Sequence, residues 1–299
     1  MNYSNKANLF IVGAMKAGTT SFNNVLAQHP KIYFSPIKEP NFFVNELPKT
    51  IYNPSRFFSI DNYFEREFPK PLHIADIQNQ VLYDKLFSLA TESHLYLAEG
   101  STTYLHAKES PDKIYSYNSD AKIIILVRNG LKRAFSHYRM DVGLGRTTLS
   151  FEDELKKGWE AYKIGALSNW SYLGMSLYAE NIIRYKQLFK ENVLVLFFED
   201  LISKEDESFR KVFSFLGLNY IPVKLSHANE SSTIRFSKGL NWLYKTGIKD
   251  VFSYILPVKV RQRAFNLLKH NYSSGINLSP ELNAELSSLF QEDISKVEQ

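Results

Sequence analysis

Cysteine is absent from the 299 residues, which excludes disulfides, a thiolate zinc site and a cysteine nucleophile. No stretch approaches the ~20 apolar residues of a membrane-spanning helix. The opening MNYSNKANLF lacks the apolar core of a signal peptide. The seven histidines show no H-E-x-x-H or similar metal spacing. Neither sign of charge is in large excess: 36 basic and 31 acidic residues leave a net charge of +5. That balance suits an anionic cofactor or substrate without demanding nucleic acid. No internal repeat or low-complexity linker divides the chain, so one domain is the simplest reading, and the length suffices for a large α/β core.

The organising stretch is residues 9–28, LFIVGAMKAGTTSFNNVLAQ. Leu9 to Val12 reads as a buried strand. Gly13 and Gly18 bracket a tight loop, and Thr19–Thr20–Ser21 opens a helix with Phe22, Val25 and Leu26 on its apolar side. A strand, a glycine loop and a helix N-terminus make an anion site, because backbone N–H groups and the helix dipole converge there. Lys16 adds a mobile positive charge. The loop departs from Walker A, G-x-x-x-x-G-K-[ST], since Thr19 stands where lysine is required and the lysine lies inside the loop. That spacing disfavours a nucleotide triphosphatase and leaves a 5′-phosphate bearing one transferable group. An ordinary glycine-bearing strand–helix turn is the alternative.

Downstream, Ile32–Ser35 reads as a short strand leading into Pro36–Ile37–Lys38–Glu39–Pro40. The two prolines forbid regular helix or a central strand there. The Lys38–Glu39 pair is either a rigid catalytic carboxylate with its partner or a solvated turn. Residues 44–80 read as irregular, a lid or binding loop in which Phe57, Phe58, Tyr63, Phe64 and Phe68 pack locally or stack on a substrate. Helices are expected over Val81–Leu89, Pro111–Ser116, from Phe151, and over Leu177–Phe189 and Phe209–Leu216. Strands are expected at Leu95–Ala98 and Asn192–Phe198. The strongest strand is Lys122–Val127, KIIILV, whose continuous apolar run indicates a parallel sheet buried on both faces. Arg128 falls at its carboxyl end, where α/β sheets bind ligands, and Ser136 lies two turns into the next helix. Both suit a phosphate, and both have duller readings as a salt bridge and a helix-surface position. The run from Lys238 to Lys269 contains a single acid, Asp250. It reads as a helical layer with a solvated basic face, or as a surface for an anionic acceptor or a membrane lipid.

The glycine loop with its internal lysine, the KEPNFF turn and the strand–Arg–x₇–Ser helix together resemble the sulfotransferases that use 3′-phosphoadenosine 5′-phosphosulfate (PAPS), of the carbohydrate or heparan-sulfate type. The resemblance runs from about Leu9 to about Leu240. It implies an α/β fold with a P-loop-type central parallel β-sheet flanked by helices on both faces. It further implies one domain over 1–299, with a cofactor-binding core at about 8–200 and a helical part at about 205–299. By that match Lys16 contacts the leaving phosphate and the sulfonate, while Ala17, Gly18, Thr19, Thr20 and Ser21 cradle the 5′-phosphate. Arg128 and Ser136, within LVRNGLKRAFSHY, hold the 3′-phosphate, and Gly130 stands where many members have proline. Glu39 inherits the role of general base. Asn41 replaces a histidine and Val44 an acidic residue of the corresponding turn. Lys38, with Ser101 and Tyr104 of EGSTTYL, falls on the acceptor side. Arg235, Lys238 and Gly239 match a late loop that covers the cofactor.

The implied reaction moves a sulfonate in line from PAPS to a hydroxyl or amine of a glycan or glycolipid, releasing 3′,5′-ADP (PAP) and requiring no metal. A positioned base contributes ~10²–10⁴-fold, and charge stabilisation by Lys16 and loop N–H groups is the larger share. The competing readings are the same chemistry on a small natural product, a P-loop kinase, and a non-catalytic nucleotide-binding module. The expected protein is a cytoplasmic bacterial enzyme without nucleic-acid partners or an integral membrane segment, and with peripheral membrane contact at most.

Overall fold

A computed structural model describes residues 6–55, 58–225, 233–234, 269–270 and 275–298. Its centre is a five-stranded parallel sheet. The strands are β1 (Leu9–Gly13), β2 (Ile32–Phe34), β5 (Tyr96–Glu99), β6 (Lys122–Val127) and β7 (Val193–Phe197), in the order β2-β5-β1-β6-β7. All five residues of β1 are buried, as are the five that follow Lys122 in β6, as expected of strands covered on both faces. Register runs Leu9↔Ala98 on one side of β1 and Leu9↔Lys122 on the other, with a shift between Ile11 and Gly13 where the chain leaves the sheet.

The helices are placed by crossover handedness. From β1 the chain moves outward through α1 (Thr19–Leu26) to β2. It returns past β1 through α4 (Ser110–Tyr117) to β6, then continues through α7 (Ala179–Phe189) to β7. Right-handed crossovers in opposite directions put α1 on one face and α4 and α7 on the other. The packing agrees. Phe22 of α1 stacks on Phe209 of α9 (Glu205–Phe215) at 5.7 Å, and Tyr115 of α4 meets Phe189 of α7 edge-on at 5.4 Å. A second apolar cluster joins Ala134 of α5 (Gly130–Gly143), Phe151 and Leu155 of α6 (Phe151–Lys163), and Leu282, Leu286, Leu289 and Phe290 of α10 (Pro280–Glu298).

Because the strands are parallel, the segments after Gly13, Glu99, Val127 and Phe197 emerge at one edge. The order reverses around β1, so the crevice outside β1 and β6 is where an open α/β sheet takes a ligand.

Several local expectations are corrected. Residues 44–80 are not wholly irregular. They contain α2 (Ile60–Arg66), capped by Ser59, and β4 (Leu72–Ile74), which pairs in parallel with β3 (Ile37–Glu39). The prolines did keep β3 out of the main sheet. Tyr63 and Phe64 are buried and pack with Phe68, so these rings serve the fold. The helix from Gln80 is shorter than expected, α3 (Gln80–Lys85). Phe198 ends no strand but opens α8 (Phe198–Ser203). Thr233–Ile234 (β8) pairs antiparallel with Lys269–His270 (β9). Phe57, Arg235, Lys238, Gly239 and most of the basic run from Lys238 to Lys269 lie outside the described residues.

Candidate active site

The loop after β1 turns through two left-handed residues, Lys16 at φ 71° and Gly18 at φ 85°. Left-handed turns between ordinary residues aim successive N–H groups into one concavity, which is an anion nest. Gly18 is also the N-cap of α1, with no side chain capping the helix, so the first-turn N–H groups stay open to a ligand. A side chain at Gly18 would strike Phe198, whose ring atoms lie 2.6 Å from the position of a Cβ.

Arg128 closes the other side of the crevice. Its Nη1 donates to the Lys16 carbonyl at 3.1 Å, and its guanidinium lies 4.7 Å above the centre of the Phe198 ring. Its Nε is buried and has no partner among the described residues. An orphaned charged donor of this kind is costly unless a ligand anion meets it. Asn129 caps α5 by accepting from Lys132 N at 3.1 Å, which fixes where the helix begins. Ser136 is half-buried on the face of α5 that also carries Met140, one turn on. The Met140 Sδ lies 3.9 Å from Lys16 Nζ.

Behind the loop sits Arg133, which has no exposed surface. It donates from Nε to Ser176 Oγ (2.6 Å), from Nη2 to Tyr172 O (2.8 Å) and from Nη1 to Met15 O (3.5 Å). Burial pulls it down to about 10. Among the described residues no carboxylate pairs with it directly. The nearest acid influence is Asp141, which is occupied by Tyr172 Oη at 2.8 Å and Arg146 at 3.2 Å. Burial, then Arg128, Arg133 and Lys38, hold the Lys16 ammonium below its ordinary value. Lys16, Arg128 and Arg133 thus converge without a direct carboxylate partner among the described residues, while Lys38 beside them is paired with Glu39, an arrangement that favours an anionic ligand.

The residues around Glu39 are built differently. Glu39 ends β3 and is 6% exposed. Its Oε1 pairs with Lys38, and its Oε2 accepts from Thr102 Oγ1 at 3.1 Å. Asn41, in the left-handed region at φ 54°, donates to Glu39 O (2.9 Å) and Ala75 O (2.8 Å) and accepts from Thr103 Oγ1 (2.6 Å). It therefore clamps the ends of β3 and β4 to the loop after β5. Glu99, fully buried at the end of β5, accepts from Tyr83 Oη (3.2 Å) and Ser101 Oγ (2.8 Å). Burial pushes it up to about 7, hydrogen bonds from Tyr104, Ser101 and Tyr83 oppose that, and Glu39 adds a little repulsion.

The family model described as "Sulfotransferase family" matches residues 8–222. The chain belongs to the sulfotransferase family. Mouse carbohydrate sulfotransferase 15 is 21% identical over 249 residues, covering 72% of this chain and 44% of that protein. Mouse heparan sulfate glucosamine 3-O-sulfotransferase 3A1 is 26% identical over 212 residues, covering 71% and 46%. The chain thus spans less than half the length of these curated relatives. A sulfotransferase from Alicyclobacillus acidocaldarius, solved as a crystal structure, superposes with a TM-score of 0.63 at 27% identity over 98% of this chain and 94% of that one. The fold is the central parallel sheet flanked by helices that the sulfotransferases share.

In this sulfotransferase-family chain the structure brings Lys16, Ala17, Gly18, Thr19, Thr20 and Ser21 to one edge of the sheet with Arg128, and Lys38 to Glu39. Ser101 and Tyr104 are placed otherwise than expected. Neither has exposed surface, and their hydroxyls serve Glu99, Asn41 N (3.0 Å) and Phe43 N (3.4 Å). They lie buried beneath the Glu39–Phe43 turn, with no surface to offer a ligand. The motifs do not single out Arg133, Thr102, Glu99 or Phe198. Arg133, Thr102 and Glu99 fall inside the motifs quoted above. Phe198 carries no local signal, because its contacts with Gly18 and Arg128 come from strands far apart in sequence.

Proposed function

We propose that the chain transfers a sulfonate from PAPS to a hydroxyl or amine of a carbohydrate acceptor, with Glu39 as general base. The observation that carries the reading is the pairing of two anion-binding ends around β1 with a held carboxylate beside them. The nest at Lys16–Thr20 and the buried, orphaned Nε of Arg128 fit a nucleotide with phosphates at both its 5′ and 3′ positions. PAPS would supply the sulfonate, already bonded to a phosphate leaving group. Lys16 and the open N–H groups of α1 would hold that phosphate and the sulfonate oxygens. Arg128 and Ser136 would hold the 3′-phosphate, and Phe198 keeps the Arg128 plane fixed.

Glu39 takes the proton of the attacking group as the new S–O or S–N bond forms. Its anion is kept in place by Lys38 and Thr102, so the carboxylate is oriented before the acceptor arrives. Arg133 donates to Met15 O and so fixes the loop that presents Lys16. Ser101 and Tyr104 act one layer down, through Glu99 and Asn41. The carbohydrate acceptor class is supported by the named relatives, which are carbohydrate and heparan sulfate sulfotransferases.

The decisive experiment is calorimetric titration with PAP, 5′-AMP and ATP–magnesium, repeated on Arg128→Ala. PAP is expected to bind tightly and alone, and the variant to lose that binding. ATP–magnesium binding as well as PAP would overturn the reading. Transfer of ³⁵S from labelled PAPS to a panel of desulfated heparan sulfate, chondroitin and small phenols then assigns the acceptor. Transfer to the phenols alone would replace a carbohydrate acceptor by a small molecule.

A further inference from the structure

The β3–β4 ribbon places a second titratable group at the acceptor side. Register Ile37↔Leu72 and Glu39↔Ile74 sets Lys38 opposite His73, and side-chain alternation puts the two on one face of the ribbon. The Asn41 clamp on Glu39 O and Ala75 O locks the strand ends together, so His73 is held at a fixed offset from the carboxylate. Its surroundings differ from those of Glu39 and Asn41: those two are buried, whereas His73 is exposed and makes no hydrogen bond among the described residues.

Lys38 shares the face of His73, while Glu39, next along β3, and Lys16, from the loop after β1, act on the ring through their charges. The partial desolvation of the ring, then Lys38, hold its pKa below the ordinary 6.5; Glu39 opposes and Lys16 adds to the lowering. The ring is therefore neutral at neutral pH, with one nitrogen donating and the other accepting. Beside two ammonium groups, a neutral imidazole is suited to an uncharged hydroxyl. A sugar offers neighbouring hydroxyls, so one can face Glu39 while the next meets the ring.

We propose that His73 contacts the acceptor, hydrogen-bonding a hydroxyl and turning the nucleophilic atom toward Glu39. The proposal rests on the sulfonate-transfer reading above. Glu39 remains the proton acceptor, and His73 supplies orientation.

The test compares wild type with His73→Ala and His73→Gln, using labelled PAPS and whichever acceptor of the panel the wild type sulfonates. The acceptor KM in His73→Ala is expected to rise about tenfold or more, because an oriented hydrogen bond is lost. His73→Gln, which keeps a donor and an acceptor, recovers part of that loss, and the Kd for PAP stays within about twofold of wild type in both, since no phosphate contact is touched. The acid limb of kcat/KM contains the imidazole titration in wild type and loses it in His73→Gln. Imidazole NMR gives a midpoint below 6.5 that rises in Lys38→Met and falls in Glu39→Gln. Wild-type acceptor kinetics in both His73 variants, or a midpoint indifferent to Lys38, would overturn the proposal. Wild type that binds PAP while the variants behave as wild type means that His73 alone is misassigned. Wild type that fails to bind PAP brings down the sulfonate-transfer reading itself, and this proposal with it.

Discussion

Glu39 has both carboxylate oxygens engaged, one by Lys38 and one by Thr102. Replacing it by Gln keeps the shape and removes the carboxylate proposed as the base. Turnover is expected to fall ~10²–10⁴-fold with PAP affinity unchanged, as measured by single-turnover ³⁵S transfer and calorimetry. Equal losses in PAP affinity would show that Glu39 acts through the cofactor instead. Glu99 poses a different question. It is fully buried and keeps its proton up to about 7, against an ordinary 4.5. Between those values the folded state holds a proton that the unfolded state has lost, so its contribution to stability falls as pH rises from 4.5 to 7. Above pH 7 it is a buried anion near Glu39. Glu99→Gln mimics the protonated form and is expected to gain stability relative to wild type at pH 8 but not at pH 4.5. Urea titration at both values measures the difference.

At the scale of elements, α5 does several jobs because its side chains recur every three or four residues. Arg133, His137 and Asp141 point inward along one stripe. Ser136 and Met140 share the neighbouring stripe toward the loop. Arg133→Met would leave the Met15 carbonyl without its donor among the described residues and the Tyr172 carbonyl with Ser176 Oγ alone. The expected cost is ~1–3 kcal/mol per unmet buried group, together with weaker PAP binding because the Lys16 loop loses its tether. Both are read by urea titration and calorimetry. The start of the same helix explains a departure in the sequence. Gly130 lies where a Cβ would come within 2.5 Å of the Phe290 ring of α10, so a proline or alanine there would collide. Gly130→Ala is expected to destabilise by ~1–3 kcal/mol. A double-mutant cycle with Phe290→Ala should remove most of that cost, and a purely additive cycle would rule out the contact as its cause.

For the whole molecule, acid stability turns on two buried histidines. Burial, with Arg133 and Arg184, holds His106 down to about 3, and burial with Arg133 and Lys16 holds His137 well below 6.5. As pH falls through 6.5 the unfolded chain takes up protons that the folded chain refuses, so stability falls on acidification. Glu99 opposes this between 7 and 4.5, and below 4.5 that opposition ends. The loss should therefore steepen below about pH 4.5. His106→Asn should reduce the slope of unfolding free energy between pH 6 and 4.5 by up to ~1.4 kcal/mol per pH unit. An unchanged slope would mean that His106 charges freely in the folded state.

The local strand, loop and helix start at 9–28, and the KIIILV strand with its terminal arginine, were legible because their signals are contiguous. An apolar run of the right length, a glycine at a positive φ and a lysine between glycines need no tertiary partner to be read. The parallel sheet followed from the same runs, since only strands covered on both faces are apolar throughout. Tertiary structure decided everything that depends on which strands become neighbours. Packing of β3 and its following turn against the end of β5 brings Glu99 and Thr102, some sixty residues on, under Glu39 and Asn41. The β3–β4 ribbon carries His73 to Lys38 across more than thirty intervening residues. Burial, which no local pattern announces, turned Ser101 and Tyr104 from surface candidates into the wall beneath the site, and left Arg133 charged in the core with carbonyls for partners.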